Sequence, residues 1–589
     1  MKQLDLLFYL WLFAYNLLYS KNRSMVHVNR IVVLFLLISS SLFAQNPVLV
    51  KDIAPFYGSI PSNFVVLGSN LLFAASGYSG SSSNRELYLS DGTALGTQLL
   101  KDIIAGPSSS SPDKFVVYNG KVYFVVSDNT SGVLVYRPWV SDGTAAGTYS
   151  LFPTANTFYG YTSNFPSVYR AKDYFVEYNG EIYFLALKDV APNDKAIFKS
   201  DGSVSGTQIA VELSNSTNIP NLMNGPVVFN DSIYFSGSTN GGASENLYKS
   251  DGTSLNTFLV KNDVILYAFS GVETYDNKMY FSGTNYFGNH ADEPWVTDGS
   301  TNGTYELVDL QPLNFFGSNP SSFRRVYNKL VFLASSNGSS VELFAIDSLI
   351  GSNIVTSIAT VSNLSLAYNS DWLFDYGNNL YFRGSDAVNG YELWKSDGTA
   401  LGTGMIKDIA PGSGGSNPHS FVAYCGEVYF SAQNPITGTA QALYKTNGTA
   451  LGTVLLPGVV GNPNSGAGIT AKGVFNNMLY FSGQYDVNIG EELYSYNASC
   501  VTGINSPVDD IDLNVVVSPN PVHDLVTIEF DENINATILV LDVLGQLVFT
   551  SEVQNKMNVV LNLSQLTKGM YFVKLKTDLG NKSIKLIKD

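Results

Sequence analysis

Cysteine and histidine are scarce in this chain, and their scarcity narrows the chemistry that it can perform. The 589 residues include only two cysteines and four histidines. Two cysteines are too few for a disulfide framework or a thiolate metal cluster. A single disulfide bond between Cys425 and Cys500 remains an alternative, because it requires only that the fold bring the two cysteines together. The histidines beyond residue 27 stand alone, and no HExxH, GxSxG or phosphate-loop pattern appears.

Charged residues are also few, and one sign dominates. They make up 14% of the chain, with 49 Asp and Glu against 33 Lys and Arg and a formal net charge of −16. Such a charge repels phosphate backbones, so we do not expect a nucleic-acid partner. Glycine (52), tyrosine (36) and phenylalanine (35) are abundant, which favours a turn-rich all-β protein.

Long apolar runs are confined to the N-terminus, where residues 4–19 and 31–44 are apolar. The second run has the layout of a secretory signal peptide: His27 and Arg30 precede it, and Ala44 provides a small residue for cleavage before Gln45. We therefore predict that residues 1–24 come from a mis-set start at Met1 and that residues 25–44 are a signal peptide. A transmembrane anchor at residues 4–19 is the alternative, which the shortness of that run disfavours. We predict no transmembrane span in the mature chain.

A phrase exemplified by ELWKSDGTALGT, residues 392–403, recurs nine times at a period of about 50 residues, which is typical of a propeller or solenoid array. An Asp or Asn marks each copy: Asp91, Asp142, Asp201, Asp251, Asp298, Asp347, Asp397, Asn447 and Asn497. An aromatic residue precedes each by three positions: Tyr88, Trp139, Phe198, Tyr248, Trp295, Phe344, Trp394, Tyr444 and Tyr494. An earlier strand of each unit carries a phenylalanine: Phe73, Phe124, Phe184, Phe235, Phe281, Phe332, Phe382, Phe430 and Phe481. Packing by these aromatic residues is thus the most uniform feature of the repeat.

Each unit reads as four short strands separated by turn residues, which predicts a β-propeller of about nine four-stranded blades in residues 45–500. The ninth unit stops at Cys500 without its last strand, whereas Val48–Ile53 resembles a last strand without preceding ones. We predict that this N-terminal strand completes the ninth blade. Eight blades or an open array remain alternatives, because propellers usually have four to eight blades.

The Asp-Gly pair of the phrase is a strong hairpin signal, and Asp397 is predicted to cap its own turn. On this interpretation Thr399 and the later Gly402-Thr403 belong to the strand that leaves the turn. The same structural role is predicted for Asp91, Asp142, Asp201, Asp251, Asp298 and Asn447. Calcium binding is the alternative, but each turn supplies only one carboxylate, and a calcium ion needs six to eight oxygens. We predict no catalytic residue, no metal site and no cofactor, with calcium as the one ligand left open.

Glu392-Leu393-Trp394 together with Asp397-Gly398-Thr399 resembles the ELWxxDGT repeat of secreted bacterial proteins, over about residues 46–500. Some copies depart from the motif, such as RPWVSDGT at residues 137–144. The resemblance implies no catalytic residues.

The sequence offers two candidate regions for a ligand. A sialidase-like propeller is disfavoured, because the sialidase motif places its aromatic residue after the turn. A sialidase also needs an arginine cluster, whereas Arg324 and Arg325 are neighbours that should point to opposite faces of a strand.

The longest departure from the period lies between Asp142 and Asp201 and is rich in aromatic residues. If this loop recognises a ligand, Phe158, Tyr159 and Tyr161 are the candidates; the alternative is a blade edge that buries its own rings.

After a predicted linker at residues 501–513, short alternating runs in residues 514–589 predict a small Ig-like β-sandwich. SPNPVHD (518–524), VLDVLGQLV (540–548), LTKGMYFVKL (566–575) and the basic end resemble the type A C-terminal sorting domain of the type IX secretion system. The resemblance assigns the secretion motif to Pro519, Asn520, Pro521, Asp524, Gly545, Gly569, Tyr571, Lys585 and Lys588. It implies recognition by the secretion machinery of a Gram-negative bacterium, removal of the domain, and then release or attachment to surface lipopolysaccharide.

These observations predict an exported surface or extracellular propeller that serves binding or adhesion to a glycan or protein ligand, without catalysis. A secreted glycan-active enzyme is the alternative, and it would place paired carboxylates roughly 5–9.5 Å apart in the channel. A structural surface-layer component is a further alternative, since fold does not fix function.

Overall fold

Strands and turns alternate along almost the whole described chain. The computed structural model describes residues 46–589 except residues 56, 78–83, 129–133, 153–173, 188–194, 214–221, 239–244, 286–289, 313–316, 327–328, 339, 348–353, 362–372, 387, 436–440, 461–468, 486–488, 499–514, 543–546 and 578–579. Within these ranges no helix has the length and apolar character that a membrane crossing requires. The predicted signal peptide and the linker at 501–513 lie outside the described residues.

Nine antiparallel sheets follow one another between residues 48 and 496, and we number them as blades 1 to 9. The strands are β1 (Val48–Lys51); in blade 1, β2 (Ser62–Leu67), β3 (Asn70–Ser76), β4 (Arg85–Ser90) and β5 (Gln98–Lys101); in blade 2, β6 (Asp113–Tyr118), β7 (Lys121–Asp128), β8 (Val135–Ser141) and β9 (Tyr149–Ser150); in blade 3, β10 (Val176–Tyr178), β11 (Glu181–Leu187), β12 (Lys195–Ser200) and β13 (Gln208–Val211); in blade 4, β14 (Leu222–Phe229), β15 (Ser232–Ser238), β16 (Asn246–Ser250) and β17 (Thr257–Lys261); and in blade 5, β18 (Val264–Leu266), β19 (Glu273–Tyr275), β20 (Lys278–Asn285), β21 (His290–Thr297) and β22 (Tyr305–Glu306). Blade 6 contains β23 (Ser321–Val326), β24 (Lys329–Ala334), β25 (Val341–Asp347) and β26 (Ile354–Val361); blade 7, β27 (Leu373–Tyr376), β28 (Asn379–Asp386), β29 (Gly390–Ser396) and β30 (Gly404–Lys407); blade 8, β31 (His419–Tyr424), β32 (Glu427–Gln433), β33 (Gln441–Thr446) and β34 (Val454–Val460); and blade 9, β35 (Thr470–Phe475), β36 (Met478–Gly483) and β37 (Glu492–Tyr496).

Each blade is a meander in which consecutive strands pair. The first strands of neighbouring blades contact one another, for example β2 with β6 and β35, so the first strand of each blade is innermost. In blade 5 this position is shared by β18 and β19, which flank a short 3₁₀ helix at Ala268–Ser270 and both pair with β20. The architecture is therefore a β-propeller, as predicted.

The repeated aromatic residues form one pair in every blade. In all nine blades the phenylalanine of the second strand lies directly opposite the aromatic residue of the third strand, as in Phe382 with Trp394 and Phe430 with Tyr444. The ring centroids of Phe430 and Tyr444 are 5.6 Å apart and nearly parallel. Such cross-strand aromatic pairs stabilise a sheet and present a flat apolar face to the next one.

The apolar core lies between the blades. Nine clusters of buried residues each combine side chains from two adjacent blades, and the cluster with Val50, Phe73 and Tyr480 joins the ninth blade to the first. Tyrosines of the second strand reach the turn of the following blade: a Cβ added to Gly448 would lie 2.8 Å from the hydroxyl of Tyr381. Packing thus continues around the whole set of blades.

The N-terminal strand closes the propeller. β1 pairs antiparallel with β37, with Val48 opposite Ser495 and Leu49 opposite Tyr494. Blade 9 consequently contains three strands from the end of the repeat region and one from its start, which confirms that prediction. Cys425, in the hairpin between β31 and β32, is disulfide-bonded, and Cys500 is the other cysteine of the chain.

The C-terminal module is a β-sandwich with a core of its own. Its strands are β38 (Val515–Ser518), β39 (Leu525–Asp542), β40 (Leu547–Asn562), β41 (Gly569–Thr577) and β42 (Gly580–Lys588). β39 pairs with β38, β40 and β41, and β41 pairs with β42. Alternating apolar residues such as Val526, Ile528 and Ile538 fill the interior, as the period-two pattern predicted.

Candidate functional site

The repeated Asp-Gly-Thr phrase forms a closed hydrogen-bond network. Asp397 Oδ1 accepts from the backbone N–H of Thr399 at 2.9 Å and from its hydroxyl at 2.7 Å. The Thr399 hydroxyl accepts in turn from Gly402 N–H, and the Thr403 hydroxyl donates to the Thr399 carbonyl. Ser396 Oγ accepts from Gly398 N–H at 3.0 Å. The side-chain hydroxyls of Ser396, Thr399 and Thr403 and one Asp397 oxygen therefore all have partners inside the loop.

The extent of the turn differs from the prediction. Thr399 and Gly402-Thr403 were assigned to the strand that leaves the turn, and this is wrong, because β30 begins only at Gly404. The physical reason is the threonine hydroxyl, which continues the network started by Asp397 and delays the first strand pairing. Gly402 is needed in this loop, since a Cβ there would overlap the Asp397 carboxylate.

In the part of the chain that the structure describes, this network is present in seven blades. The pairs in which the side-chain oxygen accepts from both the N–H and the hydroxyl are Asp91 with Thr93, Asp142 with Thr144, Asp201 with Ser203, Asp251 with Thr253, Asp298 with Ser300, Asp397 with Thr399, and Asn447 with Thr449. The hydroxyl of Thr93 and then its N–H hold the pKa of Asp91 below its usual value, and the pKa values of Asp142, Asp201, Asp251 and Asp298 are lowered in the same way. In the described ranges no group of three His, Cys, Asp or Glu side chains is placed to hold a metal ion. Calcium binding by these turns stays a prediction, which a calcium-binding measurement can test.

A second repeated carboxylate is buried, and it was not among the predicted residues. Glu392, the first residue of the ELW phrase, is fully buried and accepts from the N–H groups of Ile409, Ala410 and Ser416 and from the Ser416 hydroxyl at 2.6 Å. These donors belong to the segment that connects blade 7 to blade 8. The glutamate thus fixes the path of the chain from one blade to the next.

We call this arrangement, in which a buried glutamate binds the chain that leads to the next blade, the glutamate latch. It is present in three further blades of the described chain. Glu86 binds Ile103 N–H and Ser110, and Glu293 binds Leu310 N–H and Ser318. Glu492 of β37 binds Ile53, Ala54 and Ser59, so the last latch spans the closure between the two ends of the repeat region. Burial raises the pKa of Glu86, Glu392 and Glu492, and it raises the pKa of Glu293 to about 7, although the hydrogen bonds act in the opposite direction.

The sequence contains a readable signal for the latch. Each receiving serine begins a Ser-x-Pro tripeptide, and in two cases it lies 24 residues after its glutamate. The middle residues Ile60, Ser111, Asn319 and Asn417 all have positive φ, between 42° and 51°. Left-handed backbone at a non-glycine residue is uncommon, and the two hydrogen bonds from each serine to the glutamate help to hold it.

The innermost strands share one register position that is exposed or half-buried in every blade. Nine residues in the same register occupy it: Val66, Val117, Glu177, Val228, Thr274, Arg325, Asp375, Ala423 and Val474. We call this set the channel ring. Five of its members are apolar, and its two carboxylates come from blades 3 and 7. Arg324 is buried while Arg325 is exposed, as expected for neighbours in a strand.

A cavity of about 340 Å³ adjoins the channel ring at blades 2 to 5. Its wall includes Val117 of β6, Val176 and Glu177 of β10, Val228 of β14, and Val272. Among the described residues of this wall, Glu177 is the only charged one. The cavity can therefore accept an apolar group beside one carboxylate.

Several residues of the secretion motif, among them Asn520, Asp524 and Lys588, meet at one end of the C-terminal sandwich. Asn520 Nδ2 donates to the carbonyl of Lys585 at 2.8 Å, and Asn520 Oδ1 accepts from Ile587 N–H at 2.9 Å. Val522 exchanges backbone hydrogen bonds with Ile587 and Asp589. Segment 518–524 thus holds the edge of β42.

Lys588 completes this contact. Its side chain is buried, its Nζ donates to the carbonyl of His523, and it lies 3.6 Å from the Asp524 carboxylate. Gly569 lies opposite Lys588 in the pairing of β41 with β42. We call the contact between segment 518–524 and β42 the clasp. Tyr571 takes no part in it, because its hydroxyl donates to the carbonyl of Thr567.

Several predicted residues lie outside the described part of the chain. They are Ala44 of the cleavage site, Phe158, Tyr159 and Tyr161 of the aromatic loop, and Gly545 of the secretion motif. Their assignments stay predictions.

The solved structures that resemble this chain do so only distantly. A puromycin hydrolase mutant shares 11% identity at a TM-score of 0.35 over 64% of this chain and 59% of that one. A structure from a study of two prolyl endopeptidases shares 11% at a TM-score of 0.36, over 81% and 55%. The β-propeller domain of the Trilobed protease from Pyrococcus furiosus shares 11% at a TM-score of 0.29, over 58% and 96%. The chain thus spans less than two thirds of the first two proteins, and these similarities concern the fold alone.

Curated proteins give no match to this chain. Residues 516–589 match the family described as the secretion system C-terminal sorting domain. This match covers the sandwich and the clasp between segment 518–524 and β42. The C-terminal module is therefore a type IX sorting domain, which indicates that the chain is secreted and attached to the cell surface.

Proposed function

We propose that this chain is an exported surface protein whose propeller binds a ligand at its central channel and performs no catalysis. The observation that carries the proposal is the cavity of about 340 Å³ at the channel ring of a chain with a sorting domain. Binding pockets for small ligands or ligand groups commonly have volumes from about 300 Å³ upward. Adhesion to a glycan or a protein is the role that fits such a surface-attached binding domain.

The wall of the cavity limits the class of ligand. Val117, Val176 and Val228 offer apolar surface, and Glu177 offers one negative charge. An apolar group next to a hydroxyl or an amine fits this combination, because the carboxylate accepts hydrogen bonds and favours a cation. The ring gives the glycan-active alternative no support, because Asp375, one of its two carboxylates, lies 3.7 Å from Arg324 and so has a cation as its neighbour.

We also propose that the propeller is of the ELWxxDGT type and that the sorting domain engages the type IX machinery before the mature chain is held by surface lipopolysaccharide. The repeated Glu and Asp networks support the first part, because they account for the Glu and Asp-Gly-Thr positions of the motif by hydrogen bonds. The clasp supports the second part, since it joins Asn520, Asp524 and Lys588 of the sorting motif at one end of the sandwich.

Arrays of polysaccharides and extracellular proteins, probed with the labelled full chain, test this proposal. Val117→Lys fills the cavity wall with a charged side chain, and Leu255→Lys is a matched control at a position that is 90% exposed. We expect the wild type and Leu255→Lys to bind one class of ligand and Val117→Lys to lose it. Equal binding by both variants would place the ligand elsewhere. No binding by the wild type, with or without calcium, would favour the structural surface-layer role, and released sugar would favour the enzyme.

A further inference from the structure

Leucine side chains stand almost fully exposed at the tips of four of the repeated turns in the described chain. They lie four positions after the Asp or Asn of the turn and are between 90% and 103% exposed: Leu95 in blade 1, Leu255 in blade 4, Leu401 in blade 7 and Leu451 in blade 8. An exposed alanine precedes three of them. Single apolar residues are common on protein surfaces, but these recur at one structural position and on one side of the propeller.

The hydrogen-bond network of the turn does not require a leucine at its tip. Leu401 has no polar side-chain group and, at 103% exposed, buries no side-chain surface in the fold. Turns with the same network carry Ala146, Ser205 and Asn302 at this position in blades 2, 3 and 5. Folding of the turn therefore does not account for the leucines, whose side chains are available to another surface.

The leucine tips lie on the side of the propeller from which the chain leaves toward the sorting domain. Because each blade is a meander, the turn after its third strand lies on the same side as the hairpin between its first and second strands; we call this side the turn face. β37 is the third strand of blade 9, so the chain emerges on the turn face after Tyr496. The leucine tips of blades 7, 8 and 1 flank this exit.

The turns beside the exit are also close to lysines. The turn with Leu451 begins at the uncharged Asn447, and its carbonyls accept from Lys395 and Lys407 at 2.8 Å and 2.7 Å. The turn with Leu95 accepts from a lysine of β1 in the same way. An ammonium group has several N–H donors, so it can bond a carbonyl and an anionic headgroup together. In a chain with a net charge of −16, these cations lessen the repulsion from an anionic surface at this place.

We propose that the turn face beside the exit rests on the lipid surface of the membrane that carries the protein, with Leu95, Leu401 and Leu451 inserted among the lipids and the lysines at phosphate headgroups. Apolar side chains next to lysines are typical of segments that lie in a membrane interface. The hydrogen-bond network already holds each tip in place, so insertion orders little additional chain.

This contact goes beyond the ligand site at the channel and does not depend on it. The sorting domain indicates attachment to the cell surface, and contact through the turn face would fix which side of the propeller the membrane covers. The opposite side, with the hairpins between the second and third strands, would then be open to the surroundings.

Flotation of the full chain with vesicles of phosphatidylethanolamine and phosphatidylglycerol tests this contact in the absence of sugar. The combined variant Leu95→Ser, Leu401→Ser and Leu451→Ser introduces the residue that blade 3 has at its tip. We expect its vesicle partition coefficient to fall by about tenfold or more, because burial of leucine favours partition. The control combines Tyr57→Ser and Val388→Ser, which remove side chains that are 61% and 71% exposed on the opposite side, and it should partition as the wild type does.

A tryptophan at one tip gives a second measurement, which does not require a loss of binding. In Leu401→Trp the added indole should shift its fluorescence to shorter wavelength with vesicles, after subtraction of the wild-type signal. Val388→Trp, on the opposite side, should show no such shift. Both positions are exposed, so both variants should keep the wild-type circular dichroism spectrum.

The outcomes separate a lipid surface from other partners. A wild type that does not float, a combined leucine variant that floats as well as the wild type, or equal shifts in the two tryptophan variants would each overturn the proposal. Wild-type dimers in sedimentation velocity that the leucine variant loses, without flotation of either, would assign the leucines to a second copy of the chain instead. Val117→Lys, which alters the channel, should float as the wild type does, so failure of this contact is distinguishable from failure of the channel site.

Discussion

Two kinds of repeated carboxylate act at the scale of single residues. The turn residues, such as Asp397, are exposed and bind donors within their own loop. The latch residues, such as Glu392, are buried and bind donors on the connection to the next blade. The first kind shapes a hairpin, and the second joins blades, so loss of the two should have different consequences.

Gly402 and Gly404 form a matched pair for testing the turn network. A Cβ at Gly402 would overlap the Asp397 carboxylate, whereas a Cβ at Gly404 meets no atom within 4 Å. We expect Gly402→Ala to lower the free energy of unfolding by about 1–3 kcal/mol, as for overpacking, and Gly404→Ala to change it by less than about 0.5 kcal/mol. Urea denaturation followed by tryptophan fluorescence measures both, and equal midpoints would refute the network.

The latch should matter more than a surface ion pair on a neighbouring blade. Glu392→Ala leaves buried N–H groups of Ile409, Ala410 and Ser416 without an acceptor, which should cost roughly 3 kcal/mol. Glu427→Ala removes the 2.6 Å contact with the partly exposed Lys445 and should cost at most about 1 kcal/mol. Urea midpoints that rank the two variants in the reverse order would contradict the role of the latch.

Glu293 should give the protein a pH dependence of definite sign. Burial raises its folded-state pKa from 4.5 to about 7, so the folded chain binds this proton more tightly than the unfolded chain does. Its contribution to stability is complete below pH 4.5 and is lost as the pH rises through about 7. The urea midpoint of the wild type, relative to Glu293→Gln, should therefore fall between pH 5 and pH 8. A constant or rising difference would show that the carboxyl ionises normally in the folded chain.

At the scale of elements, closure depends on the four residues of β1. This strand supplies the last position of blade 9, and the segment after it supplies Ile53, Ala54 and Ser59 to the Glu492 latch. An edge strand left unpaired at β37 would expose backbone groups to solvent and to other chains. The strand and the latch together join both ends of the repeat region.

Two valines of β1 test this closure. Val50 is 6% exposed and packs between blades 9 and 1, whereas Val48 is 62% exposed. We expect Val50→Asp to lower the free energy of unfolding by at least ~2 kcal/mol, because it buries a charge, and Val48→Asp to be nearly neutral. Limited proteolysis should release the N-terminal segment faster from Val50→Asp alone. Equal cleavage of both variants would argue against closure by this strand.

The sequence predicts the elements of this fold better than their connections. The aromatic pairs are predictable, because Phe382 and Trp394 recur with a fixed position in every unit and period-two strands place them opposite each other. The glutamate latch was not predicted, because the donors to Glu392 lie 17 to 24 residues further along the chain, outside the turn motif. The channel ring could not be derived either, since its register depends on the bulge between His419 and Val422 and on similar irregularities in other blades.

At the scale of the whole molecule, a nine-bladed propeller and a sorting domain share one chain. Internal comparison of the copies is informative here, because the leucine at the tip of some turns is replaced by Ala146, Ser205 and Asn302 in turns with the same network. The secretion motif was predicted from its resemblance, while the clasp of Asn520 with β42 required coordinates, because it joins segments about 65 residues apart. Neither the propeller repeat nor the secretion motif identifies the class of ligand.

Export of this propeller to the cell surface is the central claim, and protease treatment of intact cells tests it most directly. A bacterium with a type IX secretion system would express the full chain and a version that ends at Cys500. We predict that external protease degrades the full chain on intact cells and spares the shortened one, which stays in the periplasm. Degradation of both to the same extent would contradict the account, because the sorting domain would then be dispensable for reaching the surface.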